Sequence, residues 1–199
     1  MEDNIMVDNV FPTQIYNRMV ENRKLIQDEF YNNIKNLTFD YATETSWGKT
    51  IRVYPHPNYF NGDVISEFNL NKMAELIDES VQHYCDIVKY PFGKYKRISW
   101  LTCSQQNDFI HIHNHGDFDL SGVYYYKTSN IDGDLFFRSP VISGRTARCS
   151  SILHQTPLVY KPYVGKLLLF PSWLEHGVKR NESYDQRISL SFNILFKDS

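Results

Sequence analysis

Phe109-Ile110-His111-Ile112-His113-Asn114-His115-Gly116-Asp117-Phe118-Asp119 carries three histidines and an aspartate on alternate positions. A β-strand turns alternate side chains to one face, so His111, His113 and His115 are expected on one side. Gly116 permits a turn that brings Asp117 round beside them. A single histidine on a strand is ordinarily a hydrogen-bonded core or surface residue, whereas three at this spacing form a candidate metal site. Two neutral imidazoles and one carboxylate, leaving three open positions, suit the oxygen chemistry of Fe(II).

A facial site of that kind needs a ligand from elsewhere in the chain. Gly165-Lys-Leu-Leu-Leu-Phe-Pro-Ser-Trp-Leu-Glu-His176 reads as a buried strand ending in a turn that presents His176. His154 is the only histidine between, while His56 and His83 lie outside this half, His83 on a helix. Around the two segments the texture is uniform: short apolar runs, rich in β-branched and aromatic residues and broken by glycines. Eight strands are expected, at 98–103, 109–115, 120–126, 134–137, 155–160, 166–170, 176–178 and 187–196. Eight short strands make a sandwich or a rolled barrel.

The first half differs. Val10-Phe-Pro-Thr-Gln-Ile-Tyr16 reads as a short strand with Pro12 at its edge. Met19, Val20, Leu25, Ile26, Phe30, Ile34 and Leu37 follow at helical spacing, and Met73, Leu76, Ile77, Val81, Tyr84 and Val88 form a second stripe that Asn69 or Asn71 caps and that ends before Pro91. Residues 38–68 read as loops with one strand, Thr50 to Tyr54. The expectation is one domain over 1–199, with an N-terminal strand and supporting helices in 1–95 and the β core in 96–199. At 199 residues and 42% hydrophobic content the chain can bury a full core. A net charge of −2 gives no strong nucleic-acid signal. Cys85, Cys103 and Cys149 are odd in number and lack a CxxC pair, which points to a reducing, cytoplasmic setting. No apolar run is long enough for a membrane span.

Eleven residues beyond His176, Arg187-Ile-Ser-Leu-Ser-Phe-Asn193 alternates again, with Arg187 and Ser189 on one face. An arginine pointing into a β-roll is costly unless paired, and a carboxylate matches its fork through two parallel charge-assisted hydrogen bonds. The competing reading is an internal ion pair with a protein acid. On the strand after the histidine run, parity sends Tyr125 to the face opposite Tyr124 and Tyr126. If Ser121, Val123 and Tyr125 face inward, the Tyr125 hydroxyl reaches the same carboxylate; aromatic core packing is the competing role. Phe118, Phe136 and Trp173 are candidates to line the mouth, and Arg138, Arg145 and Arg148 make the loop after Phe137 basic.

These residues together resemble the 2-oxoglutarate and Fe(II)-dependent dioxygenase superfamily, in particular a small branch of marine bacteria and bacterial viruses. The resemblance runs over nearly the whole chain, through Val10 to Tyr16, Ser99-Trp100, His113-Asn-His115, Leu120-Ser-Gly-Val-Tyr-Tyr125, Gly165 to His176, Asn181, and Arg187 to Asn193. It implies a mainly β chain with flanking helices and a double-stranded β-helix core, of the jelly-roll, cupin-like kind. It also implies Fe(II) as metal, 2-oxoglutarate as cosubstrate, O2 as co-reactant, and a hydroxylase acting on a peptide, prolyl residues first, or on a small molecule. By the same resemblance His176 is the distal metal ligand and Arg187 the cosubstrate clamp, with Ser189 beside it. The proximal ligands stay open between His115 with Asp117, His113 with His115, and a mixed set of His113 with Asp117. The alternative is a cupin-like metal-binding dioxygenase or binding module that does not use 2-oxoglutarate.

Overall fold

Alternation along Arg187–Phe196 sorts the protein into an inside and an outside. The computed structural model describes residues 12–41, 51–55, 62–129, 131–141 and 156–197. In chain order the elements are β1 (Tyr16–Met19), α1 (Lys24–Ile34), β2 (Asp40–Tyr41), β3 (Arg52–Tyr54), α2 (Val64–Glu67) and α3 (Asn71–Val88). Then come β4 (Tyr95–Ser104), β5 (Ile110–His113), β6 (Leu120–Lys127), β7 (Leu135–Phe137), β8 (Leu158–Tyr160), β9 (Lys166–Pro171), β10 (His176–Val178) and β11 (Arg187–Phe196). They form a seven-stranded sheet, β1-β9-β6-β11-β4-β3-β2, and a four-stranded sheet, β5-β10-β7-β8. All strand pairings within both sheets are antiparallel. This is a double-stranded β-helix.

On β11 the even residues Leu190, Phe192 and Ile194 are fully buried against the helices, together with Leu101, Leu167 and Leu169 of neighbouring strands. The odd residues Arg187, Ser189, Ser191 and Asn193 line an internal cavity between the sheets. The helices belong to the outer layer: Ile26, Phe30 and Ile34 of α1 and Met73, Leu76, Ile77, Val81 and Tyr84 of α3 enter the same cluster as the outer sheet face. Each such apolar side chain contributes about 1.5–3 kcal/mol on burial. His83 is exposed on α3.

Three expectations need correction. The N-terminal strand begins at Tyr16, not before it, and Met19 belongs to it rather than to the first helix. The register sets Tyr16 against Leu169, so an earlier start would place Gln14 opposite Pro171, which has no N–H to give. Neither Asn69 nor Asn71 caps α3. Its first-turn N–H groups at Lys72 and Met73 instead donate to the carboxylate of Glu29 on α1, at 2.9 and 3.2 Å, so the cap ties the two helices together. A short helix, α2, occupies part of the expected loop region; Asp63 at its start accepts from Arg97 Nη2 at 2.8 Å and pins it to β4. Residues 10 and 11, Thr50, His56, Arg145, Arg148, Cys149, His154 and Gln155 lie outside the described residues.

Candidate metal centre and anion pocket

His113 ends β5 and His176 opens β10, and the two are paired across the ladder. His115 lies two residues past the strand, where its backbone N–H donates to Ser172 O at 2.9 Å and its ring packs 5.9 Å from that of Trp100. The three imidazoles converge. Ring centroids are 4.4 Å apart for His113 and His176, 5.0 Å for His113 and His115, and 5.3 Å for His115 and His176. One nitrogen from each lies within 4.8 Å of the others.

Two of the rings are oriented for a metal. His176 Nδ1–H donates to Leu174 O and His113 Nδ1–H to His111 O, both at 2.8 Å. A carbonyl only accepts, so the proton sits on Nδ1 and Nε2 carries the lone pair, the usual arrangement around ligating histidines. Burial drives His176 down to about 3 and His115 to about 4, with neighbouring histidines adding to both shifts; His113 moves the same way. All three are neutral at pH 7.

His111 does not join them. It is exposed, and its ring packs against Phe109 at 4.8 Å. The ladder explains this: His113 faces His176 and Ile110 faces Val178, three steps against two, so an extra residue breaks the alternation between them. Asp117 is exposed in the turn after His115, outside the histidine group.

The other end of the cavity is a candidate anion pocket. Arg187 is 2% exposed, and its Nη1 donates to Asp132 O at 3.0 Å and Gly133 O at 2.8 Å. Gly133 has φ +89, and a Cβ there would meet Lys179 O at 2.3 Å, so only glycine presents this carbonyl. Among the described residues Arg187 makes no ion pair, and its buried Nε has no hydrogen-bond partner. The internal ion pair weighed from sequence is therefore not found among them. Ser189 Oγ lies 2.7 Å from Thr102 Oγ1, a residue that sequence reasoning missed although the β4–β11 register sets the two opposite. Ser121, Val123 and Tyr125 are the inward face of β6, and burial pushes the Tyr125 phenol up to about 12, keeping it a neutral donor.

A single cavity runs from Arg187, Ser189, Thr102 and Tyr125 to the three histidines. Phe118, Phe136 and Trp173 are not among its walls. Arg138 bonds Glu175 Oε2 at 3.2 Å beside His176.

Asn181 is fully buried in the loop entering β11. Its Nδ2 donates to Ser104 O and Asp185 O, and its Oδ1 accepts from Ser183 N. Asn181→Ala strands these groups and is expected to cost about 2–3 kcal/mol, since each buried polar group left unpaired costs about 1–3 kcal/mol. Urea unfolding of the variant checks it; a midpoint equal to that of the wild type contradicts it.

The fold and site define a class first: a double-stranded β-helix whose cavity joins a partly buried histidine cluster to a buried arginine. Residues 98–193 match a family model described as "Putative 2OG-Fe(II) oxygenase". That stretch, which carries every site residue above, is similar to the oxygenases this family model describes. No curated protein sequence matches the chain. Among solved structures, a Pseudomonas putida prolyl-4-hydroxylase is similar with a TM-score of 0.63 at 12% identity, over 93% of this chain and 94% of that one. HygX from Streptomyces hygroscopicus, with nickel and 2-oxoglutarate bound, gives 0.63 at 13%, over 92% and 82%. A Trichoplax adhaerens prolyl hydroxylase in complex with a hypoxia inducible factor oxygen degradation domain peptide gives 0.63 at 13%, over 91% and 83%. At these identities the likeness is one of fold. No helix among the described residues is long and apolar enough to cross a membrane.

Proposed function

We propose that this protein is a cytoplasmic Fe(II)- and 2-oxoglutarate-dependent hydroxylase whose metal is held by His113, His115 and His176. The observation that carries this reading is one cavity joining three neutral imidazoles, two of them oriented by Nδ1–H bonds, to a buried guanidinium whose Nε has no partner among the described residues. Arg187 supplies the charge and fork for the distal carboxylate of 2-oxoglutarate, and Ser189 and Tyr125 supply hydroxyls. His113, His115 and His176 would hold Fe(II), which would supply the O2 activation that couples oxidative decarboxylation of 2-oxoglutarate to succinate with oxidation of a substrate C–H bond. The apolar walls of Leu135, Val123 and Phe170 keep water from that end.

The all-histidine set is preferred to one containing Asp117 because three rings already converge while Asp117 faces solvent. The same donor set is also what a cupin-like module without 2-oxoglutarate would use, and Arg187 separates the two. A peptidyl substrate, prolyl first, is favoured by the two prolyl hydroxylases among the structural neighbours. The test is succinate release from 2-oxoglutarate by the iron-loaded protein. Release that requires both Fe(II) and O2, and rises with a prolyl peptide, is expected. Iron binding without any 2-oxoglutarate consumption would leave the cupin-like reading standing.

A further inference from the structure

The cavity has a third polar region, away from Arg187. Asn193, Ser121 and Ser172 are 2%, 3% and 0% exposed, and form a chain: Ser121 Oγ–H donates to Asn193 Oδ1 at 2.8 Å and Ser121 Oγ lies 2.8 Å from Ser172 Oγ. Ser172 is also the residue whose carbonyl holds the backbone of His115, so the chain is anchored at the histidine cluster. Asn193 Nδ2 has no acceptor among the described residues, and Asn193 lines the cavity. One arm of the amide is thus held and the other is turned to a ligand.

A cosubstrate held at Arg187 leaves Asn193 to another ligand, because the two residues stand at opposite ends of the inward face of β11 with Ser189 and Ser191 between them. Phe170, which pairs with Ser121 across β6 and β9, packs its ring 4.8 Å from that of His176, so Asn193 lies near the level of the histidines. Around the chain the walls are apolar or aromatic, from Phe170, Trp100 and Val123, and among the described residues no lysine or arginine other than Arg187 lines the cavity. A carboxylate at Asn193 would lose its hydration without a cation to replace it, and an aliphatic group would leave the amide unpaired.

We propose that Asn193, positioned by Ser121 and Ser172, binds the carbonyl of an amide in the primary substrate and thereby places a neighbouring C–H at the histidine cluster. The substrate class is a carboxamide or peptide amide, neither a free acid nor a hydrocarbon. This rests on the oxygenase reading of the same cavity.

Ligand-observed NMR tests it, using the full chain loaded with redox-inert Zn(II) and saturated with 2-oxoglutarate, and butyramide and butyrate as probes. Butyramide is expected to bind at least about tenfold more tightly than butyrate, and Asn193→Leu and Ser121→Ala are each expected to weaken butyramide by about five- to tenfold, the worth of a buried neutral hydrogen bond. Asn193→Ser, which keeps a small polar group, gives a second comparison should the leucine variant fail to fold; its butyramide affinity should also fall. Equal binding of the two probes to the wild type, or butyramide binding indifferent to every variant, overturns the proposal alone. Failure of the wild type to bind 2-oxoglutarate overturns the oxygenase reading, and this proposal with it.

Discussion

His176→Ala is expected to lower Fe(II) affinity by more than about 100-fold. Loss of groups that merely orient a ligand costs about 10- to 100-fold, which sets the lower bound for losing the ligand itself. His176 is the most buried of the three rings, and its Nδ1–H bond to Leu174 O leaves Nε2 with no role but to accept. A neutral imidazole forced into this site without a metal gains nothing from its lone pair. Anaerobic titration with Fe(II), followed by dialysis and metal analysis, reads the loss. His111→Ala, which removes an exposed ring outside the cluster, should leave the titration unchanged. Equal losses from both substitutions would mean that the histidines act as a diffuse surface ladder.

Arg187→Ala is expected to raise the dissociation constant for 2-oxoglutarate by about 100-fold or more while Fe(II) binding persists. Truncating one partner of a buried, charge-assisted pair costs about 2–5 kcal/mol, and 1.4 kcal/mol is a factor of ten. Without an anion the guanidinium is held only by the carbonyls of Asp132 and Gly133, with Nε unpaired among the described residues. Burial alone lowers its affinity for a proton, and nearby Tyr125 and Asp132 offset that only in part. Arg187→Lys keeps the charge but loses the fork, so intermediate affinity is expected. Calorimetry of 2-oxoglutarate into the metal-loaded variants decides it; unchanged affinity would reduce Arg187 to a structural cation.

Much of the fold was legible because alternation survives in β6 and β11 and because β9 is a continuous apolar run. Arg187, Ser189 and Tyr125 all fall inside as parity demands. Parity also had the means to reveal Ser191, Asn193 and, through the antiparallel register, Thr102. The histidine run was harder. Alternation put His111, His113 and His115 on one face, but the extra residue opposite β10 throws His111 outward, and a bulge leaves no mark in the residue types themselves. The turn after Gly116 was read correctly as a turn and yet leaves Asp117 in solvent. The cap of α3 by Glu29 comes from a helix more than forty residues earlier, beyond any local signal.

A crystal structure grown anaerobically with Fe(II) and an inert 2-oxoglutarate mimic tests the arrangement most directly. Iron bonded to the Nε2 atoms of His113, His115 and His176, with the distal carboxylate of the mimic on Arg187 Nε, is the expected result. A carboxylate of Asp117 in the coordination sphere in place of His113, or a mimic bound away from Arg187, would contradict it.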